Sequence, residues 1–318
     1  MDEKILILMA VNDNNILSLE HMNGTKREVR RASIYRKVSN PILRVVRKIW
    51  RNLGFPGYQI WFDSWWNEIG QYDSVIAVAY KSTWRLFKIL KRKYPNIRRI
   101  MYWWDPIQKT ISPNEVEDDT CEKWTFCKKD ASRFGILYNP TFMPVSGKIG
   151  KEEEYDIVFV GSGHGKLYEN REKILESLLE KCEKWRLKTS FHLWNGQNKE
   201  KCFSMKKVMN EQEYYDLVAK SKAILDIIEP SAAWMTLRPL EALYFKKKLI
   251  TNNIDIIDEP LYDAENVFIL GKNDIEYLPQ FMSTPLKELN KDVYDYYTFE
   301  AWIDRFSSWK NRKWSHLL

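Results

Sequence analysis

Arg238 and Glu241, one helical turn apart within residues 236–253, are the pair of side chains in this chain best suited to chemistry. The pattern predicts a short helix that carries both, then a tight turn and a buried strand, and another buried strand precedes it. Arg can neutralise phosphate oxygens through its planar fork, and Glu can accept hydrogen bonds from two ribose hydroxyls. The segment therefore favours a nucleotide site at the carboxyl ends of parallel strands. The alternative is an ordinary helix pair worth ~0.2–0.5 kcal/mol.

A glycine-rich loop offers further ligands for a phosphate. Residues 158–166, Val-Phe-Val-Gly-Ser-Gly-His-Gly-Lys, predict a strand that runs into a loop whose N–H groups can approach an anion. The spacing matches neither the dinucleotide fingerprint nor the P-loop, so an ATPase is not indicated, and a plain strand–helix turn is an equal alternative. The candidate residues for binding the nucleotide are Gly161, Ser162, Gly163, His164, Lys166, Arg171, Arg238, Glu241 and Asn252.

Carboxylates that follow predicted strands of the first half are the candidate catalytic bases. Asp105 ends the run Tyr102-Trp-Trp-Asp, and Asp13 follows the first predicted strand. Either could act as a general base that takes a proton from a hydroxyl group of a substrate. Asp105 precedes Pro106, however, and could equally cap a turn. The four Cys residues show no CxxC spacing and no neighbouring His pair, so we expect neither a disulfide framework nor a zinc site.

The elements that position these residues alternate between buried strands and amphipathic helices. We expect strands at 5–10, 59–62, 74–79, 99–103, 124–127, 135–137, 155–163, 189–194, 223–228, 248–251 and 266–270. We expect helices at 41–53, 83–93, 129–134, 170–184, 212–221, 238–245 and 293–314. This order predicts an α/β fold of two doubly wound, Rossmann-like domains facing a cleft, with a polar linker near 146–154. The predicted domains are 1–148 and 149–290, followed by a helical segment 291–318 that packs back across their junction.

The net charge of +7 is concentrated in one segment. Ten basic residues lie between Lys26 and Arg51, and only Glu28 opposes them. Within this segment the 41–53 helix is amphipathic, so it suits either an anionic membrane surface or packing on its own sheet. We favour the membrane, because the adjacent residues are also basic, and we expect no nucleic acid, because no nucleic-acid motif is present. No apolar run reaches the length of a membrane span, residues 1–10 lack the pattern of a signal peptide, and the Cys usage fits a reducing compartment, so we expect a cytoplasmic protein. The basic segment would make it peripheral on the inner face of the membrane.

Three blocks of residues resemble bacterial glycosyltransferases of the GT-B fold, in particular the spore-maturation-protein-like enzymes and those of lipopolysaccharide or exopolysaccharide biosynthesis. The first block comprises Arg99-Ile-Met-Tyr-Trp-Trp-Asp105, Trp124-Thr-Phe-Cys-Lys-Lys-Asp-Ala131 and Leu137-Tyr-Asn-Pro140. The second is Tyr155-Asp-Ile-Val-Phe-Val-Gly-Ser162 with Arg171. The third and most specific comprises Met235-Thr-Leu-Arg-Pro-Leu-Glu-Ala242, Lys248-Leu-Ile-Thr251 and Glu265-Asn-Val-Phe-Ile-Leu270. The resemblance spans 97–285.

This resemblance implies transfer of a sugar from a nucleoside diphosphate, with UDP as the default, to a saccharide or lipid-linked acceptor in cell-surface polysaccharide or lipopolysaccharide synthesis. It implies that the second domain binds the donor, which is a substrate, without a metal or a cofactor, with Glu241 on the ribose and Arg238 near the diphosphate. The first domain would bind the acceptor, with Asp105 as the first choice of base. Many retaining relatives carry a second Glu where this chain has Ala233, so retention and inversion both stay open. The alternatives are a nucleotide-sugar epimerase of the same fold and a non-catalytic nucleotide-sugar or glycan-binding module.

Overall fold

The computed structural model describes residues 3–9, 27–53, 57–105, 107, 110–143, 153–162, 166–194, 208–229 and 235–308. Of these, the residues within Met1–Pro144 and Trp302–Ser307 form one compact unit, and those within Val145–Ala301 together with Ser308 form the other. Each unit is built on one parallel sheet with interleaved helices, which confirms the predicted α/β class. The roles predicted for the two domains stay predictions.

The sheet of the first unit has six described strands, all parallel, in the order β2-β1-β3-β4-β5-β6. Their bounds are β1 Lys4–Met9, β2 Glu28–Ser33, β3 Ser74–Val78, β4 Arg98–Trp103, β5 Glu122–Thr125 and β6 Leu137–Tyr138. The helices of this part are α1 Pro41–Leu53, α2 Lys81–Lys93 and α3 Lys128–Phe134. The strand β3 is buried along its whole length, as expected for a strand with helices on both faces.

One expectation for the first unit is wrong, and one of its strands was not predicted. The predicted strand at 59–62 is a 3-10 helix, Tyr58–Trp61, in which Tyr58 and Trp61 are buried while Ile60 is 51% exposed. This helical spacing of the buried side chains replaces the alternation that a strand needs. The sequence also gave no sign of strand β2, because its residues are mostly charged or small. Such a composition is typical of an edge strand, where backbone pairing with β1 suffices.

The sheet of the second unit has five described strands, all parallel, in the order β11-β10-β9-β7-β8. Their bounds are β7 Tyr155–Ser162, β8 Thr189–Trp194, β9 Ser221–Asp226, β10 Lys248–Thr251 and β11 Val267–Ile269. The helices are α4 Lys166–Lys184, α5 Glu211–Ala219, α6 Arg238–Tyr244, α7 Leu278–Ser283 and α8 Lys291–Tyr296. Strand β8 lies on one side of β7 and β9 lies on the other, so the winding of the sheet reverses at β7. In the first sheet it reverses at β1, which lies between β2 and β3.

The predicted single helix at 293–314 is also wrong over its described part. The chain forms α8 and then a separate helix, α9 Phe299–Ser308. Thr298 separates the two, and its hydroxyl accepts a hydrogen bond from the Ala301 amide in the first turn of α9. Within the first unit, Trp302 and Phe306 of α9 pack against Tyr102 of β4, with ring centroids 5.2 and 5.9 Å apart.

Among the described residues, no helix is long and apolar enough to cross a membrane.

Candidate functional site

A cavity of about 570 Å³ opens in the second unit where β7, β8 and β9 end. It is lined by Phe159, Val160, Gly161, Ser162, Arg171, Trp194, Val208, Met209, Leu225, Asp226, Ile227, Thr236, Leu237 and Arg238. They include residues of β7 and of its two neighbours in the sheet, β8 and β9, and β7 is the strand at which the winding of the sheet reverses. In doubly wound sheets the crevice at this point is where ligands bind. The structure thus brings the predicted glycine-loop residues 161–162 together with Arg171 and Arg238.

The start of α6 is fixed by a chain of hydrogen bonds to β9. The Thr236 hydroxyl accepts from the backbone N–H of Arg238 at 3.2 Å and donates to Asp226 Oδ1 at 3.1 Å. Pro239 occupies the first turn of α6, where a missing N–H has no cost. This arrangement holds the first residue of α6, Arg238, at the wall of the cavity.

Arg238 and Glu241 belong to a buried network instead of a solvated helix pair. Arg238 Nη1 donates to Glu241 Oε2 at 2.6 Å, and its Nη2 donates to the Val160 carbonyl at 3.2 Å. The Tyr214 hydroxyl donates to the same carboxylate oxygen, and the Arg238 guanidinium lies 4.1 Å from the centroid of the Tyr214 ring. Glu241 is only 4% exposed and lies behind Arg238, which itself lines the cavity.

The electrostatics of this network keep Arg238 charged and Tyr214 neutral. Burial alone would lower the pKa of Arg238, but the charge of Glu241 and the contact with Tyr214 outweigh it and raise the pKa. Burial, followed by the neighbouring Glu241 charge, raises the pKa of Tyr214 well above its usual value. Arg238 therefore presents a permanent cation to the cavity, and two of its five N–H donors are used by the network.

Arg171 holds the ends of two strands together in this structure. Its Nε and Nη2 donate to the Ile227 carbonyl at 2.9 and 2.8 Å, and its Nη1 donates to the Ser162 carbonyl. Burial lowers the pKa of Arg171, and Asp226 opposes that effect. Its remaining N–H donors and its charge stay available to the cavity, so its predicted contact with an anion stays a prediction.

Asp226 is a functional candidate that the sequence analysis missed. It is 3% exposed and lines the cavity, and its second oxygen accepts from Thr251 at 3.3 Å. Burial raises the pKa of Asp226 from 3.8 to about 6, although two Thr hydroxyls and two nearby Arg charges oppose the rise. The available signal was a lone carboxylate inside an apolar run, Ala223-Ile-Leu-Asp-Ile-Ile228, all of which was assigned to the predicted strand 223–228.

Replacing Asp226 by Asn is expected to remove a pH-dependent loss of stability. Because the folded-state pKa lies above the unfolded value, the contribution of Asp226 to the free energy of unfolding is full below about pH 4 and is lost as the pH rises through about 6. At about 1.4 kcal/mol per pKa unit this loss is about 3 kcal/mol. Urea unfolding across this pH range should show the Asn variant gaining stability relative to the wild type. A difference that stays constant with pH would contradict the assignment.

The other predicted donor-site residues are placed as follows. The Asn252 side chain pairs with the backbone of Ile228: its Oδ1 accepts from the Ile228 N–H at 2.8 Å, and its Nδ2 donates to the Ile228 carbonyl at 3.0 Å. Asn252 does not line the cavity. At Gly161 a Cβ would lie 2.6 Å from the buried Phe159 ring, so a larger residue at this position would require that ring to move. Gly163, His164 and Asp13 fall outside the described residues. Lys166 is described only as the first residue of α4.

The candidate base of the first unit, Asp105, is exposed just after the carboxyl end of β4. Its Oδ2 accepts a hydrogen bond from the Tyr80 hydroxyl at 2.9 Å, and Tyr80 follows the neighbouring strand β3. Its other oxygen could accept a hydrogen bond from a substrate hydroxyl and then its proton, so the role of Asp105 as base stays a prediction. No group of three or more His, Cys, Asp or Glu side chains in the described part of the chain is placed to hold a metal ion.

No protein-family model and no curated protein matches this chain. Solved structures do match it. A lipopolysaccharide outer core galactosyltransferase, WaaB, in its apo form has a TM-score of 0.54 at 14% identity, over 98% of this chain and 99% of that one. An alpha-glucosyltransferase in complex with UDP and a 13-mer DNA containing a central A:G mismatch has a TM-score of 0.53 at 12% identity, over 94% of each chain.

A UDP-GlcNAc 2-epimerase from Methanocaldococcus jannaschii, in complex with UDP-GlcNAc and UDP, has a TM-score of 0.46 at 12% identity, over 97% of this chain and 99% of that one. The likenesses to the galactosyltransferase and the glucosyltransferase show that the chain has the predicted GT-B fold. At these identities they show the fold alone, so the resemblance to a particular glycosyltransferase family stays a prediction.

Proposed function

We propose that this chain is a glycosyltransferase that moves a sugar from a nucleoside diphosphate, with UDP favoured, to a saccharide or lipid-linked acceptor. The observation that carries the proposal is the cavity at the carboxyl ends of β7, β8 and β9, which is walled by Arg238 and backed by the buried Glu241 and Tyr214. A cation at a helix start and a buried carboxylate behind it suit a diphosphate joined to a ribose.

The cavity divides into walls that suit the parts of a nucleotide. Arg238 offers a cation and free N–H donors toward phosphate oxygens, and Arg171 adds positive charge. Trp194, Val208 and Met209 form an apolar wall of the kind on which a nucleobase can stack or pack. In this proposal the two Arg residues and the loop after β7 carry the leaving diphosphate without a metal.

Glu241 would receive the ribose hydroxyls. Its Oε2 already accepts from Arg238 and Tyr214, so the hydroxyls would meet Oε1. Because Glu241 is 4% exposed, this contact requires the Arg238 side chain to shift when the donor binds, as side chains commonly do in binding sites. Such a shift would also aim the guanidinium at the diphosphate.

The transfer step forms one bond and breaks another at the anomeric carbon. An acceptor hydroxyl oxygen bonds to that carbon, the bond from the carbon to the β-phosphate oxygen breaks, and the nucleoside diphosphate leaves with the bonding electron pair. The hydroxyl proton passes to a base, for which Asp105 is the first candidate and Asp13 the second. The acceptor-binding role of the first domain, peripheral association with a membrane and cell-surface polysaccharide or lipopolysaccharide synthesis are parts of this proposal.

Incubating the protein with nucleotide-sugars in the absence of acceptor tests the proposal. We expect slow hydrolysis of one donor, giving free sugar and nucleoside diphosphate, because water can replace the acceptor. Product analysis by nuclear magnetic resonance distinguishes the alternatives. Recovery of an epimerised nucleotide-sugar would contradict sugar transfer and support the epimerase. Nucleotide binding without turnover of any donor, even with lipid-linked and saccharide acceptors added, would support the non-catalytic module instead.

A further inference from the structure

Helix α1 exposes its apolar face. Ile42, Val45 and Ile49 are 70%, 57% and 49% exposed, and they follow one another at helical spacing. Five of the nine large hydrophobic side chains exposed in the described part of the chain lie in this one helix, and Ile60 is a sixth nearby. A surface helix of a globular domain normally buries its apolar stripe against the core. A concentration of exposed aliphatic side chains on one element is typical of an interaction surface.

A different edge of α1 holds it on its own unit. Trp50 packs on Trp61, with ring centroids 6.1 Å apart, and it joins the core of the first unit. Arg47 donates to the Arg36 carbonyl at 2.9 Å and lies 5.6 Å from the centroid of the Tyr35 ring. Since Arg47 and Trp50 are one turn apart, they define the side of α1 that faces the unit. The apolar face therefore points elsewhere, and turning it inward would break these contacts.

The charged residues of the chain segment that contains α1 are all basic. No Asp or Glu occurs between Glu28 and Asp63. Arg36, Lys37, Arg44 and Lys48 are exposed, and no carboxylate of the described residues forms an ion pair with them.

Two basic residues earlier in the predicted segment are already paired with carboxylates. Arg27 pairs with Asp304 at 2.6 Å, and Arg30 pairs with Glu68 at 2.6 Å. The charge available to a partner is therefore narrower than the predicted 26–53 surface, and it centres on α1.

We infer that α1 docks on an anionic phospholipid bilayer. The helix lies parallel to the surface, with Ile42, Val45 and Ile49 at the boundary of the acyl chains and Arg44 and Lys48 at the lipid phosphates. The charge argues against a second copy of this chain as the occupant, because a two-fold contact would bring the same cations face to face. This inference assigns the membrane association of the proposed function to α1, and its test is independent of sugar transfer, since the docking helix contributes no residue to the cavity of the second unit.

Sedimentation of the full chain with vesicles tests the inference. We expect binding to vesicles of equal parts phosphatidylcholine and phosphatidylglycerol, weak binding to phosphatidylcholine alone, and release by salt. Arg44→Gln/Lys48→Gln should lower the partition coefficient by about thirtyfold at low salt. Ile42→Gln/Ile49→Gln should lower it by about tenfold or more. Gln is a good helix former, so neither pair of substitutions removes α1.

Matched controls lie in the second unit. Ile254 is 50% exposed, close to the 49% of Ile49, so Ile254→Gln should leave vesicle binding unchanged, and so should Lys272→Gln. Equal binding to both kinds of vesicle, or α1 variants that bind like the wild type, would overturn the inference. So would an absence of vesicle binding together with a dimer that Ile42→Gln/Ile49→Gln dissociates in gel filtration, because α1 would then be an interface between copies.

Discussion

Replacing Arg238 by Met is expected to abolish nucleoside diphosphate binding and to lower the free energy of unfolding of the second unit by about 3–5 kcal/mol. The substitution removes the guanidinium that donates to Glu241 at 2.6 Å and leaves that carboxylate, 4% exposed, without its counter-charge. Uncompensated buried charge is costly even where the intact pair adds little net stability. Thermal unfolding and calorimetry with UDP measure the two effects on the same variant.

The double variant Arg238→Met/Glu241→Gln separates folding from binding. Removing the charge together with its partner should recover most of the lost stability, because no buried ion remains unpaired. Nucleotide binding should stay lost, since the cation at the cavity wall is absent. Recovery of nucleotide binding in the double variant, or wild-type affinity in Arg238→Met, would show that Arg238 has only a structural role.

Glu241→Gln is expected to lose the discrimination between ribose and its dideoxy analogue. A hydrogen bond to a charged group contributes about 1.5–3 kcal/mol, so the wild type should bind UDP at least about tenfold more tightly than 2′,3′-dideoxy-UDP. In the Gln variant this ratio should fall to within about a factor of three, because the neutral amide is a weaker acceptor. Calorimetric titration of both proteins with both nucleotides gives the interaction energy between the Glu241 carboxylate and the ribose hydroxyls.

Tyr214→Phe is the matched control for this prediction. It removes a hydrogen bond to the same carboxylate oxygen but leaves the Glu241 charge in place. The control should lose stability, because it removes a buried hydrogen bond, yet it should keep its preference for the ribose. A ribose preference that Glu241→Gln retains would place the hydroxyls elsewhere in the cavity.

The fold was readable from the chain because parallel sheets bury their strands on both faces. Strands such as β1 and β3 therefore appear as short, almost unbroken apolar runs, and the structure places them within a residue or two of the prediction. The errors occur where this signal is absent. Strand β2 is an edge strand made mostly of charged and small residues, and the aromatic residues Tyr58 and Trp61 are apolar without alternating.

Only part of the candidate site could be predicted from the sequence, because the fold brings its residues together from segments that are distant in the chain. Arg238 and Glu241 share one turn of α6, so their spacing was visible in the sequence. Tyr214 reaches the same carboxylate from α5, which lies 27 residues earlier in the chain, and Trp194 enters the cavity from β8. No local pattern marks such partners. Asp226 was hidden differently, since a carboxylate at the end of an apolar strand is absorbed by the strand prediction.

The most direct test of the donor site is a thermal-shift screen of the wild type and of Arg238→Met/Glu241→Gln against UDP, GDP, dTDP and CMP. A ligand that binds only the folded state raises the unfolding temperature, by an amount that grows with the logarithm of its concentration relative to its dissociation constant. We predict that one nucleoside diphosphate, UDP by preference, stabilises the wild type and leaves the folded double variant unchanged. A wild type that none of the four stabilises, or equal stabilisation of both proteins, would contradict the assignment of this cavity to a nucleotide-sugar donor.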